Sequence, residues 1–367
     1  MKVVLSRSKF LESFNLAASG ASNQFKDVLG NVLIDATTAR LEASNGETSL
    51  VVDYTPSHAE GSRPGGTALL DPRRVGAILK ESRSELVTIE ADDKSIEITT
   101  DEGSFTLQAR NPSEFPRVSA IEGKSIEVGS TGLLGALRRV DFATDVDSTR
   151  YQLGGVNFVA GGERLELIAT DGRRMAYSGL DLHLGSDLGG GSAIVPTKAL
   201  GLVKRSLEGS EGFIGIAVNQ SSIQFCGSNV AIQTRLVEGR YPNWQSVIPT
   251  ADGIEYRFLA GPFMQAVRQA SVTAEQESRG VVFSFGDGNC RIAAKAADVG
   301  RSQVSVPLET PEAFEITMDY RFVLDWLQSL DKTDQVSLWC KKNEGWAKPT
   351  LWVSGESKYV IMPMERK

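Results

Sequence analysis

One unit is written three times along this 367-residue chain, and that repetition limits the fold more than any single motif. A short amphipathic segment reads "FLESFNLAA" from Phe10, "LLGALRRVDFA" from Leu133 and "FMQAVRQASV" from Phe263, starting 123 and 130 residues apart. Apolar residues fall at i, i+1 and i+4 in each copy, giving a helix with one buried face. A second segment recurs as "DPRRVGAILKES", "PTKALGLVKRSL" and "DYRFVLDWLQSL", its apolar positions beginning at Val75, Ala199 and Phe322. Pro72, and Thr197 beside Pro196, suit a first helical turn, and Asp319 suits an N-cap.

Strand-like runs follow the helices. "LVTIEADDKSIEITTDEGSFTLQA" alternates apolar and polar residues around "ADDK" and "DEGS", a meander of hairpins. "GFIGIAVNQSSIQFCGSNVAIQTRLV" and "QVSLWCKKNEGWAKPTLWVSGESKYVIMP" repeat that layout. A period near 120 residues is too long for a solenoid, so the copies are domains. The aromatic-Pro punctuation "EFPRV" (114–118) and "RYPNW" (240–244) closes the first two, where the chain crosses to its next sheet. The fold class predicted is α+β: three repeated domains over 1–121, 122–250 and 251–367, each with two helices packed on antiparallel sheets.

The chemistry inventory is thin. Hydrophobic content of 41% and charged content of 23% suit an ordinary soluble globular protein. "MKVVLSRSKF" lacks the apolar run of a signal peptide, and no later window approaches a membrane span. Cys226, Cys290 and Cys340 are scattered with no C-x-x-C, which favours a reducing compartment, the cytoplasm. His58 and His183 sit among loop-like residues, with no nucleophile or ligand partner evident. "LGGGSAIVPTK" (188–198) lacks the ending of a phosphate loop and reads as a connection. Asp171 in "ATDGRRMA" reads as a metal ligand or as a turn with Gly172 at positive φ; the absence of a second carboxylate at useful spacing favours the turn. Glu275 and Glu277 are expected at the surface. No catalytic constellation, metal or cofactor is expected.

Charge is distributed unevenly. The net charge is −7, yet the recurring helices are locally basic. Arg73, Arg74 and Lys80 lie on the first copy of the second helix, and Lys198, Lys204 and Arg205 on its second copy. Arg138 and Arg139 lie on the first helix of the middle unit. Each helix alone reads as a solvated face. Recurrence in one element of related units favours a shared surface that meets phosphate.

Five segments resemble the bacterial DNA sliding clamp family, the beta subunit of DNA polymerase III: "LIATDGRRMA" (167–176), "EGRYPNWQSVIP" (238–249), "YVIMPM" (359–364), "LGN" (29–31) and "RYQLGGVNF" (150–158). They occur in order over the whole chain. The resemblance implies a head-to-tail homodimer closed into a ring of six domains, with helices lining a hole that holds double-stranded DNA without reading its sequence. Basic helices would meet phosphates there, and Lys26, Arg150 and Tyr151 would join them. Phe105 and Val272 match the interface between subunits.

A pocket for short peptide motifs is also implied, carried by the DNA polymerase III catalytic subunit, the clamp loader, and repair and translesion polymerases. Its matching positions are Leu153, Thr170, Gly172 and Arg173; then Arg174, Met175, Pro242 and Val247; then Val360, Met362, Pro363 and Met364. Methionines give such a lining adaptability. Taken without the resemblance, "VIMPM" reads first as an ordinary buried terminal strand. Asn23, Gln152, Arg173 and Glu365 depart from the family pattern, where arginine, an aromatic, histidine and a basic residue are common. Two rival readings stand beside the clamp. One is an enzyme with a ligand between units; the other is a clamp-like paralogue serving as a scaffold that does not encircle DNA.

Overall fold

The computed structural model describes residues 1–22, 27–56, 65–122, 124–145, 147, 150–185, 188, 191–341 and 348–364. Six α-helices stand among them: α1 (Arg7–Ala18), α2 (Pro72–Glu81), α3 (Ser130–Arg138), α4 (Thr197–Leu207), α5 (Ala260–Ala270) and α6 (Tyr320–Gln328). They coincide with the six repeated segments. Local chemistry sets two of the starts. Asp71 accepts the N–H groups of Arg73 and Arg74, both at 3.0 Å, with Pro72 in the first turn. Asp319 accepts the N–H of Arg321 at 2.9 Å.

The expected faces are buried: Phe10 and Phe14 on α1, Leu133 and Leu137 on α3, Phe263 and Val267 on α5. Two expectations need correction. The buried stripe of α6 begins at Val323, not Phe322, whose ring instead lies 4.4 Å below the guanidinium of Arg174. His183 is corrected too: it belongs to strand Arg174–Leu184 and stacks on Phe213 at 3.7 Å.

Chain contacts divide the molecule into two compact units. The first comprises 1–131, 182–191 and 198–236; the second comprises 132–181, 192–197 and 237–367. The central repeat therefore contributes chain to both, because strand Val230–Arg235 pairs with Thr48–Asp53 in the first and strand Arg174–Leu184 pairs with Ser357–Ile361 in the second.

In the first unit, α1 and α2 pack together. One antiparallel sheet runs in the order Lys2–Ser6, Leu86–Ala91, Ser95–Thr99, Ser104–Gln108. A larger one leads from Thr67–Leu70 through Val32–Asp35, Arg40–Ser44, Thr48–Asp53, Val230–Arg235, Ser222–Cys226 and Phe213–Val218 to Lys124–Gly129. The punctuation "EFPRV" works here as a strap. Phe115 is buried against Leu33 and Leu69, while Arg117 reaches the buried carboxylates of Asp35 (2.6 Å) and Glu42 (2.9 Å). Burial opposes ionisation of Asp35, but the Arg117 guanidinium and two backbone N–H groups outweigh it and hold its pKa below the usual range.

The second unit packs α5 on α6. Its four-stranded sheet has the order Gly300–Pro307, Asn289–Ala296, Gly280–Gly286, Phe314–Asp319. The other sheet joins Ile254–Leu259, Gln335–Cys340, Thr350–Ser354, Ser357–Ile361 and Arg174–Leu184, then Arg164–Thr170, Gly155–Gly161 and Ala193–Pro196. Trp326, Trp352, Tyr256 and Tyr359 fill the core, with Trp326 stacked on Tyr359 at 5.5 Å.

Candidate functional site

The turn "TDGRR" starts the site. Asp171 Oδ1 accepts the N–H groups of Arg173 (2.9 Å) and Arg174 (3.0 Å), which closes an Asx-type turn. Gly172 sits at φ +88°, a conformation that side chains with a Cβ rarely adopt, so the turn reading of Asp171 holds. Thr170 Oγ1 ties the turn together, donating to Arg174 O (2.7 Å) and accepting from Gly172 N (3.1 Å). Among the described residues no group of His, Cys, Asp and Glu is arranged to hold a metal ion.

Beyond the turn, Met175 stands opposite Val360 in the strand register, and both are buried. The N–H of Met362 donates to Arg173 O at 3.0 Å, fastening the terminal segment along the turn. "RYPNW" comes in from a third part of the chain. Its Tyr241 and Trp244 bury into a cluster with Ile168, Met175, Tyr177 and Val360, and Tyr241 donates to Ile168 O at 3.3 Å. Burial raises the Tyr241 pKa, so the hydroxyl stays a neutral donor.

These segments enclose a cavity of about 210 Å³ in the second unit. It is lined by ten of the twelve expected residues: Leu153, Thr170, Gly172, Arg173, Arg174, Met175, Pro242, Val247, Val360 and Met362. Two expected residues do not line it. Met364 instead donates its N–H to Thr317 O and lies beside Gly280, so the chain has already turned away; Pro363 precedes it, partly exposed. Two lining residues escaped the sequence reading of the pocket, Trp244 and Arg150. The repeated aromatic-Pro signal contained Trp244. Arg150, expected to face DNA, holds its guanidinium over Gly172 and donates to Asp171 O at 3.4 Å.

Arg174 fixes the wall. Its side chain is only 10% exposed, and its guanidinium pairs with Asp171 (2.9 Å) and Asp325 and donates to Phe142 O (2.8 Å). Burial opposes its charge, but Tyr359, Asp325 and Asp171 overcome this and raise its pKa further. Val247 and Met362, by contrast, remain 46% and 42% exposed. A rigid polar wall thus faces an apolar mouth whose surface is unmet. A cavity this small suits one or two side-chain anchors rather than a whole cofactor. Each Leu- or Phe-sized anchor it buried would contribute about 1.5–3 kcal/mol.

The expected DNA-facing residues divide. Arg73, Arg74 and Lys80 on α2, Lys198 and Arg205 on α4, and Arg138 on α3 are exposed, and Lys204 is half-buried. Tyr151 is exposed as well. Arg139 is instead directed to Asp334 (3.7 Å) and the Ser357 hydroxyl (3.4 Å) within its own unit. Lys26, together with Asn23, lies outside the described residues, as do His58 and Glu365. Phe105 and Val272 are 41% and 76% exposed, large apolar side chains without cover.

Sequence models of the DNA polymerase III beta subunit match the chain three times: the N-terminal domain over 1–119, the central domain over 127–243 and the C-terminal domain over 245–365. A beta sliding clamp of Synechococcus elongatus is 26% identical, the match covering 100% of this chain and 99% of that protein. One of Vibrio cholerae is 23% identical over 99% of this chain and 100% of the relative. In fold, the chain matches a DnaN sliding clamp of Pseudomonas aeruginosa bound to griselimycin, with a TM-score of 0.92, 23% identity and both chains fully covered. A DNA polymerase sliding clamp of Bacillus subtilis matches at a TM-score of 0.90 and 22% identity, again over both whole chains.

Proposed function

Since the chain belongs to the DNA polymerase III beta subunit family, the bacterial beta sliding clamps that serve as polymerase processivity factors, we propose that it works as a closed ring. Two copies join head to tail, each contributing three domains over 1–121, 122–250 and 251–367. The ring encircles double-stranded DNA and slides without reading sequence, so confinement replaces tight binding. Exposed arginines and lysines on α2, α3 and α4 support this reading, since phosphate contacts supply attraction with no base preference. The chain catalyses no reaction of its own and acts in the cytoplasm. No helix among the described residues is long and apolar enough to cross a membrane.

The apolar cavity between "TDGRRM", "RYPNW" and "VIM" is the observation that carries the tether. We assign it to peptide motifs of the polymerase III catalytic subunit, the clamp loader, and repair and translesion polymerases. Their Leu or Phe side chains would enter beside Met175, Val360 and Met362. Deleting 362–367 should abolish binding of a fluorescent polymerase-tail peptide while leaving the dimer intact. Unaltered peptide binding by the truncated chain would overturn the assignment.

A further inference from the structure

One strand edge is closed in the central repeat and open in the third. Strands Lys124–Gly129 and Ile254–Leu259 hold the same place, each leading into the first helix of its repeat. Lys124–Gly129 is paired on both sides. Phe213–Val218 lies along one, and the end of Arg174–Leu184 along the other, with Leu182 opposite Val128 and Leu184 opposite Glu127. Ile254–Leu259 pairs with Gln335–Cys340 alone among the described residues. The strand placed to close it, Gly300–Pro307, ends on a proline, and Pro311 follows in the segment 308–313. Proline has no N–H for a ladder, so the third repeat does not complete itself as the central one does.

A cleft of about 960 Å³ lies along the open strand. The N–H of Ala260 donates to Asp334 O at 2.9 Å, and the antiparallel register runs on from there to Ile254 opposite Cys340. Alternate residues therefore bond to the neighbouring strand, while Glu255, Arg257 and Leu259 turn N–H and C=O outward to the edge. The far wall is fixed. The Tyr256 hydroxyl donates to Glu312 O at 2.9 Å, and the Gly288 N–H to Thr310 Oγ1 at 2.9 Å. Charge in the cleft is one-sided: Glu255, Glu309 and Glu312 line it against Arg257, which Glu255 already holds at 2.8 Å. Trp339, opposite Glu255 in the register, adds a partly buried aromatic surface.

We propose that this edge receives an extended, lysine- or arginine-bearing segment of a partner protein, which adds to the sheet as an antiparallel strand where the central repeat uses its own chain. Main-chain hydrogen bonds to Glu255 and Arg257 supply affinity, and side chains alternating basic and apolar supply selection. A cation opposite Glu255 meets both its carboxylate and the Trp339 ring. The apolar residues between the cations turn toward the face that holds buried Ile254 and Tyr256. The cleft shares no lining residue with the cavity beside Met175 and Met362, so it stands apart from the tether proposed above.

Fluorescence anisotropy of a labelled Lys-Val-Lys-Val-Lys-Val-Lys peptide with the full chain tests it. Binding should saturate, and the glutamate-valine counterpart should bind at least about tenfold more weakly. Residues opposite Glu255 and Arg257 are the lysines, so N-methylation of the lysine amides should cost at least about tenfold. N-methylation of the valine amides, which point away from the edge, should leave affinity unchanged. Arg257→Pro removes an outward N–H and should act like lysine N-methylation, with urea unfolding unaltered. Deleting 362–367 should change nothing. Equal binding of both N-methylated peptides would reduce the contact to charge adsorption and overturn the proposal. Binding that fails to saturate, or that survives Glu255→Gln with Glu309→Gln undiminished, would overturn it too. Binding lost with 362–367 would move the peptide to the other cavity, overturning this site while leaving the tether reading in place.

Discussion

Helices α2 and α6 hold the same place in the first and third repeats, yet their exposed faces have diverged. On α2 the solvent side carries Arg73, Arg74 and Lys80. The corresponding side of α6 is spent on the pocket wall: Phe322 lies against the Arg174 guanidinium, Asp325 pairs with it, and Phe322 O accepts from the Tyr359 hydroxyl at 3.0 Å. The cation on α6, Arg321, is held by Asp319 at 3.1 Å. A duplicated scaffold keeps its buried stripe because packing demands it, while the outer face is free to change purpose. In one copy that face stays exposed and basic; in another it braces the wall of the cavity.

The largest effect should come from Arg174, where the contrast is sharpest. Arg174→Ala leaves Asp171 and Asp325 without their shared cation and Phe142 O without a donor. Urea unfolding should report a loss of about 3 kcal/mol, and peptide binding should vanish. A stable variant with normal binding would mean that α6 braces nothing.

On the other helix, the combined Arg73→Gln, Arg74→Gln, Lys80→Gln variant should flatten the slope of log affinity for DNA against log salt. The slope should change by about 0.9 for each phosphate that the variant no longer neutralises. Its peptide affinity should be unaltered. Equal flattening by Arg321→Gln would erase the distinction between the helices.

Met362→Ala trims the apolar mouth without touching the wall. Peptide affinity should fall about tenfold by titration calorimetry, with no change in unfolding, since the side chain is 42% exposed.

The smallest effect concerns the cap of α6. Burial lifts the Asp319 carboxyl from 3.8 to about 6. The folded state therefore binds the proton more tightly than the unfolded chain. This group's contribution to stability is greatest below the unfolded value and is lost as pH rises from about 4 to about 6. Asp319→Asn keeps a capping acceptor and removes the titration, so it should flatten that part of the stability profile.

Much of this was legible from residues alone. Six helices and three hairpin meanders follow from periodicity and turn chemistry, because those are local properties. Tertiary convergence was harder to read. Phe322 satisfied the helical period of its own repeat, but Arg174 from the middle repeat uses its ring instead. Trp244 was visible as punctuation, though its place in the pocket depends on where strand Arg164–Thr170 runs. Family resemblance supplied most of the cavity lining but missed the turn of the chain that takes Met364 to Gly280 and Thr317.

Topology is tested most directly by loading the protein onto nicked circular DNA with a clamp loader and following its retention before and after the circle is cut. A ring should stay on the closed circle through a salt wash and run off the ends once the DNA is linear. Equal retention on linear DNA with free ends, or loss from the intact circle, would contradict confinement as the basis of its hold.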